Sequence, residues 1–181
     1  MSVAKKRLGF SFISMWLVVV GCLLLSSPAH AYTYSGSRFS SKSTTVTVNE
    51  LMTGNYVTAI NQAASDINSN TDVTFYTSNT GASWSALTQN YGATGWEGQS
   101  TWSYGVSGYT SLASSKINTY YIPSNTPVAQ MRVLWLHELS HVWGLGHSNI
   151  NTVMYTSASA AYRNGVRYLT SDDINGYNSL Y

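Results

Sequence analysis

The chain has 181 residues, of which 44% are hydrophobic, 13% aromatic and only 9% charged. That balance excludes intrinsic disorder, and the scarcity of Lys and Arg excludes a nucleic-acid-binding role. Three of the nine basic residues, Lys5, Lys6 and Arg7, lie at the start; beyond residue 31, six basic side chains face seven acidic ones, a net charge of −1 that steers no charged partner.

Lys5-Lys6-Arg7 precedes an apolar run over residues 8–25, followed by Ser26, Ser27, Pro28 and the small-residue site Ala29-His30-Ala31. This is the layout of a secretory signal peptide, so residues 1–31 are expected to be removed and residues 32–181 to be released outside the cell as one domain. An uncleaved anchor is the alternative, since 18 residues come close to spanning a bilayer, but the A-x-A site follows at the distance signal peptidase reads. Val19-Val20-Gly21-Cys22 also resembles a lipobox, which would tether the chain through Cys22. Against that, Leu23-Leu24-Leu25 continues the apolar run past the cysteine and favours release. Cys22 is the single cysteine, so the mature domain has no disulfide and relies on its core. About 150 residues bury about 68–70% of their surface, enough for that. A monomer without membrane association is expected after cleavage.

In the mature part, residues 44–48 alternate Thr with Val and read as a strand. Val57, Ile60, Ala64 and Ile67 form one stripe of a helix over about residues 55–68. Residues 73–77 and 116–122, rich in β-branched and aromatic side chains, read as further strands, and residues 81–111, crowded with Gly, Ser, Tyr and Trp, as short strands and loops. Thr126 as N-cap and Pro127 at the first helical position open a helix that runs to about Trp143. Thr170-x-x-Asp173 is close to a capping box, after which Ile174, Tyr177 and Leu180 share a helical face to the C-terminus. No repeat or linker divides the chain. This order predicts an α+β domain, a mixed sheet with helices packed on it.

All three histidines of the mature chain fall in one 11-residue stretch, His137-Glu138-Leu139-Ser140-His141-Val142-Trp143-Gly144-Leu145-Gly146-His147, which is H-E-x-x-H-x-x-G-x-x-H. Five such identities meet by chance with odds on the order of 1 in 10⁵, so the pattern demands a cause. Residues i and i+4 of a helix lie about 40° apart around the axis and about 6 Å along it. His137 and His141 therefore project side by side and can each give a nitrogen to one zinc ion. Glu138, about 100° round, flanks the ion, where it can accept a proton from water. His147 cannot reach that ion from a straight helix. Gly144 tolerates positive φ, ends the helix and turns the chain back. Three ligands leave an open position, the mark of a catalytic site. A buried polar helix face with a loop histidine, or a zinc kept for stability, explains the spacing less well; neither needs Glu138.

The stretch resembles the zinc-binding motif of the metzincin metallopeptidases, with Met154 seven residues later resembling their Met-turn. Ser148 after His147 is as in the matrixin branch, and the C-terminal segment Leu169-Thr170-Ser171-Asp172-Asp173-Ile174-Asn175-Gly176-Tyr177-Asn178-Ser179-Leu180-Tyr181 is similar to the final helix of matrixin catalytic domains. The resemblance is specific from about Leu134 to Tyr181; over residues 32–122 it is only an order of elements. It implies a metzincin-like twisted mixed sheet with an active-site helix, a backing helix and a C-terminal helix. It also implies a secreted zinc endopeptidase acting on proteins or peptides, with His137, His141 and His147 as metal ligands and Glu138 as general base. The substrate would lie extended along an edge strand. A zinc-holding wall or polymer-binding protein with vestigial peptidase activity is the alternative, and the intact Glu138 argues against it.

The resemblance has three departures. Tyr155 directly follows Met154, whereas relatives using a tyrosine ligand place it two residues on, so no tyrosine ligand is expected. Thr156 stands where matrixins usually have proline, so the wall of the S1′ pocket is not carried over. No propeptide latency cysteine is present in the sequence. With every mature histidine used, no structural second zinc is expected. Calcium is possible but unsupported, since outside Glu138 only Glu50, Asp66, Asp72, Glu97, Asp172 and Asp173 are acidic. The resemblance further implies that the terminal ammonium of Tyr32 pairs with Asp172 while Asp173 supports the Met-turn. The plainer reading is that both carboxylates favour a helix N-terminus, at about 0.3–1 kcal/mol each.

Overall fold

The Thr/Val alternation of Ser43–Val48 places Val46 and Val48 on a buried face and leaves Ser43 exposed, the period of a strand covered on one side. In the computed structural model, which describes residues 31–49 and 51–181, it is β2 in a chain of β1 (Thr33–Tyr34), β2 (Ser43–Val48), α1 (Asn55–Asn70), β3 (Thr74–Ser78), β4 (Trp84–Gln89), β5 (Gly98–Tyr104), β6 (Thr110–Asn118), α2 (Val128–Trp143), β7 (Leu145–Gly146), α3 (Ala158–Arg163) and α4 (Ser171–Leu180). The leading segment, with its cleavage site up to His30 and Cys22, lies outside the described residues, as does Glu50. No helix among the described residues is long and apolar enough to cross a membrane.

Five strands form one mixed sheet in the order β3-β2-β4-β6-β5, parallel except for β5, which runs antiparallel to β6 at the edge. β1 and β7 form a separate antiparallel ribbon. The domain is thus α+β with a mixed sheet, as the order of elements predicts. Helix α1 buries Ile60, Ala63 and Ile67 and packs on α2 and β3, while α2 packs on β5 and β6. From Val133 to Ser140 every residue of α2 is buried, His137, Glu138 and Ser140 included, so this helix is central to the domain. Trp84 of β4 stands in the middle of the core, its ring centroid 5.1 Å from Phe75, 5.6 Å from Phe39 and 6.2 Å from Trp143. Asn68 ties α1 to the edge strand β3: its Nδ2 donates to Phe75 O at 2.8 Å and its Oδ1 accepts from Phe75 N at 2.6 Å.

Three local expectations need correction. The strand expected over residues 116–122 is β6, which starts at Thr110 and stops at Asn118. Beyond it, the N–H groups of Tyr121 and Ile122 turn back onto Asn118 O at 3.1 Å, and Asn118 Oδ1 accepts from Tyr120 N. An asparagine that binds its own following backbone closes a turn, whatever the β propensity of the next residues. Helix α2 begins at Val128, one residue later than expected. Pro127 itself occupies the N-cap with extended ψ of 135°, and Thr126 supplies no side-chain cap. The ribbon β1–β7 and the helix α3 went unforeseen, since elements this short carry no readable period. The capping box at Thr170 is present in both directions, Asp173 N–H to Thr170 Oγ1 and Thr170 N–H to Asp173 Oδ2.

Candidate metal centre

The last turns of α2 carry His137, Glu138 and His141, and Gly144 ends the helix with φ 119°, its N–H bonded to Ser140 O and His141 O. A Cβ there would lie 2.7 Å from Ser37 O and 2.6 Å from Leu180 Cδ1, so glycine is required for both conformation and space. Beyond it, β7 pairs with β1, Gly146 opposite Thr33, and Thr33 Oγ1 donates to His147 O at 2.7 Å. Ser35 Oγ and Ser37 Oγ donate to His141 O and Val142 O, satisfying carbonyls at the end of α2. The N-terminal segment thus steers the chain that returns His147 to the other two histidines.

The three Nε2 atoms face one another at 3.1, 3.2 and 3.2 Å. His137 Nδ1 lies 2.8 Å from Val153 O and His141 Nδ1 2.8 Å from Leu145 O. A carbonyl only accepts, so both Nδ1 atoms carry the proton and both Nε2 atoms present lone pairs. Burial holds the His137 imidazolium down to about 3 and that of His141 to about 4, and it lowers His147 as well. Neutral lone pairs converging at this range repel unless a cation lies among them. Three imidazole nitrogens this close together are the donor set zinc takes, and His137, His141 and His147 would hold one such ion. Among the described residues these three are the one group of His, Cys, Asp or Glu side chains placed to hold a metal ion together.

Glu138 is 3% exposed beside them. For the protein chain alone, burial pushes its carboxyl up to about 8, against the hydrogen bond from Ser100 and with the charge of Glu97 adding to the rise. A zinc ion held by the three histidines would favour the charged carboxylate. Its Oε2 accepts from Ser100 Oγ at 3.0 Å. The cleft above, about 590 Å³, is lined by residues 95–100 and Trp102 of the β5 side, Tyr121, Leu134, the histidines, and Thr156 to Ala158 opposite. Asn118 organises the loop before β5: its Nδ2 donates to Gly92 O and Thr94 Oγ1 at 2.9 Å, and its Oδ1 accepts from Tyr91 N.

Met154 is fully buried, and its turn is held from two sides. Met154 O accepts from Ser148 N at 2.7 Å, while Asp173 Oδ2 and Oδ1 accept from Val153 N and Met154 N at 3.1 and 3.3 Å. Asp173 therefore touches the turn whose Val153 carbonyl orients His137, in keeping with the role implied for it. Burial raises its carboxyl above the ordinary range, against the pull of the donors it accepts from. Asp172 Oδ1 accepts from Ala31 N at 3.0 Å, one residue ahead of Tyr32.

The structure thus brings His137, Glu138, His141 and His147 together as the spacing requires. Sequence reasoning missed Gly98, Ser100 and Asn118, because nothing local to those residues points at α2 or the cleft. None of the curated proteins matches the chain. The matrixin family model matches residues 39–181, which include the whole five-stranded sheet, the three histidines and the Met154 turn. The chain therefore belongs to the matrixins, a family of zinc-dependent metallopeptidases.

Proposed function

We propose that this protein is a secreted, monomeric endopeptidase in which His137, His141 and His147 hold one zinc ion and Glu138 is the general base. The observation that carries the reading is the convergence of three neutral Nε2 lone pairs beside the buried Glu138 carboxyl on the cleft. When bound, zinc supplies Lewis-acid activation of water and of the scissile carbonyl. Glu138 takes the proton of the attacking water and returns it to the leaving amine nitrogen. Val153 O and Leu145 O keep the imidazoles in the ligating tautomer. An extended peptide pairs its backbone with the open edge of β5, whose Gly98, Gln99 and Ser100 border the cleft. Secretion is supported by the basic, apolar and A-x-A order of residues 1–31.

The test compares the purified mature protein with Glu138→Gln and His141→Ala on casein or gelatin. Glu138→Gln is expected to keep one zinc and lose activity by about 10²–10⁴-fold, and His141→Ala to lose both. Unimpaired cleavage by Glu138→Gln would overturn the mechanism, and cleavage sites confined to chain termini would overturn the endopeptidase reading.

A further inference from the structure

Gly98 and Ser100 lie two residues apart on β5 and face the same way, towards Glu138. A Cβ at position 98 would overlap Glu138 Oε1, so only glycine lets the carboxylate lie against the strand. Ser100 Oγ is 2.7 Å from Glu138 O, 3.0 Å from Glu138 Oε2 and 3.0 Å from Ser115 Oγ. Ser115 is the register partner of Ser100 on β6 and is fully buried. Its Oγ is 3.2 Å from Trp84 Nε1, on β4, and 3.4 Å from Glu138 O.

The direction of these bonds follows from chemistry. An indole N–H can only donate, and a hydroxyl has one proton to give. Ser115 Oγ accepts from Trp84, so its own proton goes forward, to Ser100 Oγ or to Glu138 O. Ser100 then spends its single proton on Glu138. Of the two acceptors open to Ser115, Ser100 Oγ at 3.0 Å is nearer than Glu138 O at 3.4 Å, so the favoured chain runs from Trp84 through Ser115 and Ser100 to Glu138. The Ser100 proton lies between Glu138 O at 2.7 Å and Oε2 at 3.0 Å, which holds Oε2 against the strand and leaves Oε1, beside Gly98 at the cleft, to exchange the proton.

We infer that Ser100 is a positioning residue that fixes the Glu138 carboxylate for proton transfer, with Ser115 and Trp84 setting the direction of its hydroxyl. The inference rests on the reading of Glu138 as general base. A purely structural tie between β5 and α2 predicts loss of stability alone; positioning predicts a loss in kcat that a hydroxyl restores.

The zinc-loaded variants Ser100→Ala, Ser100→Thr, Ser115→Ala, Glu138→Gln and the double variant Ser100→Ala/Glu138→Gln are compared by kcat, KM, zinc content and melting temperature. Ser100→Ala is expected to lose about tenfold in kcat, with KM within about twofold and one zinc retained. Ser100→Thr is expected to recover most of that loss, and Ser115→Ala to fall about threefold. The double variant is expected to match Glu138→Gln, since no carboxylate remains to be positioned. Wild-type kcat in Ser100→Ala, a loss that Thr does not restore, or a loss that persists on the Glu138→Gln background would overturn the inference. An active Glu138→Gln sinks the general-base reading itself, whereas an inactive Glu138→Gln beside a fully active Ser100→Ala sinks only the positioning role.

Discussion

Two glycines near the metal centre are required for different reasons, and their substitutions separate folding from chemistry. Gly144 has φ 119° and no room for a Cβ between Ser37 and Leu180, so Gly144→Ala strains the backbone where the chain turns towards His147. Strain of that kind costs about 1–3 kcal/mol, and a domain of this size loses about 2–4 °C in melting temperature for each kcal/mol. A thermal melt of the variant is expected to show a fall of about 2–12 °C, with the zinc affinity reduced as well. Gly98, by contrast, has an ordinary backbone, and its Cβ would meet only the movable end of Glu138. Gly98→Ala is expected to displace the carboxylate, keep the fold and the zinc, and lower kcat by about tenfold or more. Normal turnover by Gly98→Ala would show that the carboxylate does not act from the position it holds here.

Helix α4 acts on the metal centre without touching it. Its capping residue Asp173, 1% exposed, accepts from Thr170 N and Oγ1 and from Val153 N and Met154 N, and Val153 O in turn meets His137 Nδ1. In Asp173→Asn an amide NH₂ must face one of those donors in the core. Leaving a buried donor unpaired costs about 1–3 kcal/mol. The same change loosens the carbonyl that orients a ligand, an effect typically worth about 10–100-fold in metal affinity. Chelator competition is therefore expected to show weaker zinc binding together with a lower melting temperature. Unchanged affinity would mean that α4 caps its own helix and nothing more. The β1–β7 ribbon is the counterpart on the N-terminal side, since Thr33 and Ser35 bond the carbonyls of His147 and His141.

At the scale of the whole domain, Asp66 links α1 to the approach to α4: Oδ2 accepts from Leu169 N at 2.9 Å and Oδ1 from Asn70 Nδ2 at 2.8 Å. Burial raises its carboxyl above the ordinary value of 3.8, against the Leu169 bond, the charge of Arg132 and the Asn70 bond. A carboxyl with a raised folded pKa binds its proton more tightly in the folded state. Its contribution to stability is therefore complete below 3.8 and is lost as pH rises through the folded value. Urea midpoints of wild type and Asp66→Asn, measured from pH 3 to 7, are expected to show a smaller decline with rising pH in the variant. Parallel curves would show that Asp66 titrates normally.

How much of this was readable in advance depended on the distance between partners along the chain. The ligand spacing His137 to His141, the turn at Gly144 and the Thr170–Asp173 capping box involve residues three or four apart, where helix geometry alone sets the contact. The hydrophobic stripe of α1 was legible for the same reason. The start of α2 was not, because whether Pro127 is the first helical residue or the cap turns on a single ψ angle that no side-chain pattern reports. The surroundings of Glu138 were not legible either. Trp84, Gly98, Ser100 and Ser115 reach it only through the register of β4, β5 and β6 and the seating of α2 on that sheet. Thr33 reaches His147 across 114 positions of sequence by the same kind of pairing. Local spacing brings out the groups proposed to carry the chemistry, whereas hydrogen bonds between residues far apart in sequence, formed once the core has packed, decide how those groups are aimed.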